Sequence, residues 1–215
     1  MLLFGNNLTP SYMIDILLAA LIGMTVHEFA HNYVAHLMGD PTPSLQGRLT
    51  LNPMMHIYWP GFIMFVLIGF GILGLAPINP RLMRNPRWGS LLATAAGPFG
   101  NLLVAACGAV LWRMVGIDTL RDNDLIQGVL FMMVWFNVWG FLFNLLPLFP
   151  LDGWHIMLSA LPAEQAYVWQ RNAQNTQLIF FALIMLSYIT LSGFDPMQVI
   201  LFDPINEITR FLLGI

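Results

Sequence analysis

Met24-Thr25-Val26-His27-Glu28-Phe29-Ala30-His31 lies inside one of the most apolar segments of this 215-residue chain. Histidines four apart on a helix stand one turn above each other and face the same way. Two imidazoles so placed can hold one metal ion, and Glu28 beside them stands where it can take a proton from a water on that ion. The alternative is a coincidence of two tolerated helical histidines. It is disfavoured by the scarcity of histidine and glutamate in the chain, and by the setting, because ionisable groups inside a membrane span are costly and mark function.

The surroundings of that stretch set the fold class. Apolar residues make up 58% of the chain and charged residues only 9%, where a soluble domain carries about a quarter charged. Mean hydropathy is +0.71. Several uncharged runs approach the roughly twenty residues needed to cross a bilayer. The expectation is an all-α polytopic membrane protein with about five to six membrane helices. It would form a single integral membrane domain over residues 1–215, with a core at about 11–160 and C-terminal helices at about 174–215. The basic residues are eight arginines and the net charge is −3, so no basic stripe exists for nucleic acid. Cys107 is the only cysteine; it makes no internal disulfide and is expected to pack among small residues. Met1 to Pro10 lacks a positive leader, so no cleavable signal is expected.

Outward from the histidines, a first helix is expected over Ser11 to Leu37, started by Pro10 and stopped by Gly39-Asp40-Pro41. Asp15 near its beginning is expected at the membrane interface. Residues 40–59 are polar and interrupted by proline. Leu45, Leu49 and Leu51 alternate with polar neighbours there, which fits a short strand able to pair with an unwound peptide, or else an ordinary interfacial loop. Residues 60–76 are apolar and rich in glycine. Arg48 precedes them and Arg81, Arg84 and Arg87 follow. Arginine-rich short loops prefer the cytoplasmic side, so this segment either enters and returns or crosses as a plain helix. The strand-like or re-entrant region therefore lies near residues 44–76. Helices are expected over Gly89 to Val115, kinked at Pro98, and over Leu125 to Leu146. A short turn over His155 to Leu161, a span over Leu178 to Leu191 and an amphipathic tail over Asp195 to Ile215 complete the chain.

A catalytic zinc takes three protein ligands and keeps one open position. Asp152 stands in an irregular Pro147–Gly153 segment between apolar regions. By spacing it is either the third ligand or the cap of the following helix. Asn101 is an amide at membrane depth, suited to hydrogen bonding between helices.

His27-Glu28-Phe29-Ala30-His31, Gly47-Arg-Leu-Thr-Leu-Asn-Pro53, Asn85-Pro-Arg-Trp-Gly89, Ala96-Gly-Pro-Phe-Gly-Asn101 and Asn144-Leu-Leu-Pro-Leu-Phe-Pro-Leu-Asp-Gly153 occur here in that order. Together they resemble the site-2 proteases, in the compact bacterial branch without PDZ or CBS domains, over about residues 20–160. The resemblance implies an intramembrane zinc metalloprotease that cuts peptide bonds in or near transmembrane helices of other membrane proteins, as in regulated intramembrane proteolysis. It implies a multi-pass protein of a bacterial inner or plasma membrane. It carries His27, His31 and Asp152 over as zinc ligands and Glu28 as the catalytic glutamate. Asn144 and Asn101 are implied near the site and could stabilise the transition state, and His56 and His155 are further histidines with either interfacial or packing roles or a supporting role behind the ligands. Compact members usually read His-Ile-Asp-Pro where this chain has His56-Ile57-Tyr58-Trp59-Pro60, a difference that bears on substrate access or regulation and leaves the catalytic set intact. The partners implied are substrate helices, the lipid bilayer and a separate adaptor or regulator. Two readings compete with proteolysis: a catalytically silent zinc-binding scaffold and, behind it, a metal transporter.

Overall fold

The computed structural model describes residues 9–68, 71–189 and 195–215. Three long helices set its frame: α1 (Pro10–Leu37), α4 (Pro86–Val115) and α6 (Asp124–Asn144). The shorter helices are α2 (Thr42–Leu45), α3 (Trp59–Ile68), α5 (Ile117–Asp122), α7 (Asp152–Ala160), α8 (Ala163–Arg171), α9 (Ala173–Ile189) and α10 (Asp203–Leu213). The long helices begin where sequence chemistry asks them to. Thr9, Asn85 and Asn123 each accept a hydrogen bond from a first-turn backbone N–H, and Pro10 and Pro86 fill first-turn positions where a missing N–H costs nothing. Gly39, at φ 106°, ends the chain's run past α1 in a conformation that favours glycine.

α1, α4 and α6 are long and apolar enough to cross a membrane. The outer faces of α1 and α4 expose Leu18, Ile22, Leu103, Val110 and Met114, as lipid contact requires. α4 runs antiparallel to α1, since His31 meets Ala93 and His27 meets Asn101. α6 runs parallel to α1, since Asp15 approaches Gly128 and Asn137 approaches Gly23. Asp15 is buried against that glycine. Glycines bring the backbones close and leave room for the neighbour's polar side chain.

One apolar core joins α4 and α6 to the C-terminal region through Val104, Ala109, Val134, Leu201 and Ile205; another joins α1, α3 and α6 through Ile16, Ala20, Phe65 and Phe136. The tail is amphipathic as expected. Ile205, Thr209 and Leu213 line its buried side, and Trp135 donates to Asn206 at 3.0 Å, so it packs against the bundle. Cys107 is exposed rather than packed inside.

One expectation needs correction. No strand forms near residues 44–51: Thr42–Leu45 is a helical turn, and Leu45 and Leu51 are 82% and 61% exposed. Leucine alternation here marks no buried face, and Pro41, Pro43, Gly47 and Pro53 break the backbone before it can form a ladder. Among the described residues, three helices are of crossing length. The segment at residues 60–76 does not contribute one. α3 has ten residues, about 15 Å of rise against a core of about 30 Å. The chain then returns beside α3 as extended backbone. Tyr58 N–H donates to Leu73 O at 2.8 Å, and Ile57 and Gly74 form an antiparallel bridge. Both ends of the segment therefore lie together. Part of the expected last span, 190–191, lies outside the described residues, and α9 begins earlier than expected, at Ala173.

The loops at the α1 C-terminal end are tied to one another. Buried Asp40 accepts from Thr42 N–H at 2.9 Å and from Asn79 N–H at 2.6 Å, and Arg84 N–H donates to Met38 O at 2.9 Å. Arg48 donates to Met55 O and Leu75 O, which joins the base of the hairpin to the preceding loop.

Candidate metal centre

The third turn from the end of α1 presents His27 and His31 toward α4, and both side chains are buried. Their Nε2 atoms are 3.0 Å apart. Asp152 reaches the same point from the first turn of α7, with Oδ2 at 3.2 Å from His27 Nε2 and 3.3 Å from His31 Nε2. Asp152 is the first residue of α7 and Leu151 is its N-cap, so Asp152 does not occupy the cap position. Its carboxylate is aimed at the two histidines.

Each imidazole is fixed from behind. His31 Nδ1 lies 2.8 Å from the Ala93 carbonyl, which can only accept, so the proton is on Nδ1. His27 Nδ1 lies 2.6 Å from Asn101 Oδ1, which imposes the same tautomer. Both Nε2 atoms then turn lone pairs toward Asp152 Oδ2, which is buried without a hydrogen-bond donor. With both rings neutral, these three electron-rich atoms held together call for a cation. Ligands about 2.0 Å from a tetrahedral zinc are roughly 3.3 Å apart, close to the three separations here. The residues present fit zinc.

Space for the ion comes from Gly97 on α4. A methyl there would stand 2.2 Å from His31 Nε2 and 2.8 Å from His27 Nε2. Glu28 is buried beside the pair, and its carboxylate packs on the backbone of Gly74, where a methyl would stand 2.6 Å from Oε1. The returning arm of the 57–76 hairpin thus passes directly over the glutamate. A cavity of about 620 Å³ opens onto Glu28, His27, His31 and Asp152, and residues 71–76 form one of its walls.

The remaining sequence candidates separate. Asn144 lines the cavity, and its amide donates to Gly140 O at 2.9 Å with one N–H to spare. Asn101 also reaches the cavity but is engaged at both ends: Oδ1 with His27, and Nδ2 donating to Asn137 Oδ1 at 3.2 Å. His155 lines the cavity between Trp154 and Phe149, and burial holds its imidazole below the ordinary value, so it is neutral near pH 7. His56 is fully buried in the loop before α3. Its Nε2–H donates to Thr50 O at 2.7 Å, and it does not line the cavity.

Sequence reasoning missed two residues. Asn137 is fully buried behind Asn101. Its available signal was a second amide two helical turns before Asn144 in an otherwise apolar run. Arg87 belongs to the Asn85–Gly89 motif, but its partners are distant: it donates to the carbonyls of Ser159, Ala160 and Leu161 at 2.9, 2.8 and 3.0 Å. Those carbonyls close the C-terminal end of α7, whose other end carries Asp152.

Comparison with known proteins agrees with this geometry. The profile of peptidase family M50 matches residues 113–187. The chain is 40% identical over 159 residues to YwhC of Bacillus subtilis (strain 168), named as a candidate zinc metalloprotease; the alignment covers 71% of each chain. It is 28% identical over 180 residues to Rip2 of Mycobacterium tuberculosis (strain H37Rv), named in the same way, which covers 80% of this chain and 66% of Rip2. No solved structure matches the chain. The ordered motifs, the buried histidine pair and the extended identity to YwhC lead to one assignment: this chain belongs to peptidase family M50, the site-2 proteases.

Proposed function

We propose that the protein is an intramembrane zinc metalloprotease that hydrolyses peptide bonds in or near the transmembrane segments of membrane-protein substrates. The observation that carries this reading is the convergence of two Nε2 lone pairs and Asp152 Oδ2 within 3.0–3.3 Å, beside a buried glutamate on a shared cavity. His27, His31 and Asp152 would hold zinc. When bound, zinc supplies an acidified water and a Lewis acid for the scissile carbonyl.

The chain's own groups divide the remaining work. Glu28 accepts the proton released as water attacks, holds it on a carboxylate oxygen, and delivers it to the leaving amine. Gly74 keeps that carboxylate facing the cavity, since any side chain there would collide with it. The spare N–H of Asn144 serves the carbonyl oxygen as charge develops. Asn101, with both ends of its amide engaged, orients His27 instead. His155, neutral and wedged among aromatic rings, helps close the site to bulk water.

We read the 57–76 hairpin as re-entrant from the side that carries Arg48, Arg81, Arg84 and Arg87, which the arginine bias assigns to the cytoplasm. Further crossings beyond α1, α4 and α6 include α9, an apolar helix of 17 residues, if the bilayer is locally thin or the helix is flanked by interfacial residues. The membrane is the bacterial inner or plasma membrane, and residues 1–215 act as one integral domain. Substrate selection rests on a separate adaptor or on prior trimming of the substrate.

The test is Glu28→Gln in purified protein. Zinc content should stay at the wild-type level, while cleavage of a reconstituted transmembrane substrate falls by about 10²–10⁴-fold, the usual share of a general base. Wild-type cleavage in that variant sinks the mechanism. A biological role that survives Glu28→Gln would leave the zinc-binding scaffold in its place.

A further inference from the structure

Behind the proposed zinc ligand His27 runs a chain of side-chain contacts through Asn101 and Asn137 to a backbone carbonyl of α6. The relay starts at an unambiguous group, the Met133 carbonyl in α6, which can only accept. Asn137 presents Nδ2 to it at 2.8 Å, so Asn137 Oδ1 must face α4. Asn101 lies 3.2 Å from that oxygen and must meet it with Nδ2. Asn101 Oδ1 is thereby turned to His27 Nδ1 at 2.6 Å, which must carry the proton. Reversing Asn137 sets like against like at two contacts, and reversing Asn101 does so against Asn137 and leaves His27 Nδ1 to accept instead.

We propose that Asn137 is a positioning residue for the metal centre: it locks the Asn101 amide in the orientation that keeps His27 Nε2 unprotonated and open to zinc. Packing supports a built relay rather than a chance contact. Asn137 is fully buried and Asn101 nearly so. The relay joins all three long helices, and a glycine on a facing helix makes room for each amide. A methyl on Gly23 would stand 2.3 Å from Asn137 Oδ1, and one on Gly140 would stand 2.5 Å from Asn101 Nδ2. His31 has no need of such a device, because its partner is the Ala93 carbonyl, whose polarity cannot be reversed. The two histidines of one motif thus reach the same tautomer by different means. A backbone carbonyl suffices for one, whereas the other depends on an amide that would be ambiguous if Asn137 did not fix it.

This inference rests on the reading of His27 as a zinc ligand. The experiment is zinc affinity by chelator competition on the full chain in detergent, for wild type, Asn137→Ala, Asn101→Asp and the double variant. Asn137→Ala should weaken zinc by about tenfold, the lower end for groups that orient a metal ligand. In the Asn101→Asp background the carboxylate accepts from His27 whichever way it faces, so the same Asn137→Ala change should cost nothing. An equal loss in both backgrounds is what packing alone predicts, and it overturns the relay.

Asn137→Asp guards against a fold too weakened to assay. As carboxylate it still offers Asn101 only acceptors. As carboxylic acid it donates to Met133 O and accepts from Asn101. Either form should keep zinc within about threefold of wild type, well short of the loss expected when such an orienting group is removed. A tenfold loss there overturns the proposal. Histidine labelled with ¹⁵N should report the Nδ1–H tautomer for His27 in wild type, with tautomer mixing in Asn137→Ala; an unchanged His27 signal counts against the relay. Wild type without zinc defeats both this inference and the zinc reading, whereas zinc-loaded wild type matched by Asn137→Ala defeats the relay alone.

Discussion

The two sides of the metal centre are built in opposite ways. His27 and His31 ride on a helix of 28 residues, where one turn of regular backbone sets their spacing. Asp152 stands on the first turn of α7, a helix of nine residues that follows an irregular proline-rich segment. Nothing local aims it. Its aim comes from contacts elsewhere: Arg87 on the last carbonyls of α7, the Ser159–Ser90 hydroxyl pair at 3.3 Å, and Gly153 pressed against the carbonyls of Leu145 and Leu146. A ligand set by helix periodicity should resist distant substitutions. One set by docking should not.

The largest effect should come from deleting the docked ligand itself. Four-ligand zinc sites bind with about 10–16 kcal/mol, roughly 3–4 kcal/mol for each ligand, so Asp152→Ala should weaken zinc on the order of 100- to 1000-fold. Metal content after dialysis against a chelator reads this directly, and undiminished zinc would mean a different third ligand. Next is Gly153→Ala, which keeps every ligand. Its methyl would stand 2.3 Å from Leu145 O and 2.4 Å from Leu146 O, both backbone, so α7 must move. Overpacking of this kind costs about 1–3 kcal/mol, and zinc affinity should fall about tenfold with a lower Tm.

The smallest and most discriminating effect is at Arg87, far from the ion. Arg87→Ala removes three charge-assisted hydrogen bonds at an exposed site, where solvent screens part of their value. Zinc should weaken by about threefold. Arg87→Lys should recover only part of it, because a point charge cannot reach three carbonyls as a planar fork does. A control on the other side, Leu18→Ala on the lipid face of α1, should leave zinc affinity unchanged. If Leu18→Ala and Arg87→Ala behave alike, the contrast between the two sides fails.

The same contrast explains what could be read from sequence. The histidine pair was legible because its geometry is local, whereas the break at Pro147, Pro150 and Gly153 left Asp152 open between ligand and cap, and only the family resemblance pointed to the ligand. The three long helices were legible from hydropathy and from their caps. The strand near 44–51 was misread because alternating leucines carry the strand signal whether or not a partner strand exists. The hairpin was visible only as a conflict of arginine-flanked loops; its closure depends on the pairing of Tyr58 with Leu73. Asn137 and Arg87 were invisible in function because their partners lie 36 and 72 to 74 positions away along the chain. A lone amide in an apolar helix has the same local signature whether it orients a ligand or merely satisfies its own helix.

The groups behind the histidines have a consequence for where such a centre can reside. Zinc sites commonly back their histidines with carboxylates. Here the backing groups are an amide and a peptide carbonyl, both uncharged. With two neutral imidazoles, a divalent ion would meet one negative charge from Asp152 and one from Glu28, and the sum is zero. An electroneutral cluster carries far less of the solvation penalty that a net charge suffers among apolar helices. The chain can therefore keep a hydrolytic centre among apolar helices with no charge beyond Asp152 and Glu28 to balance the ion.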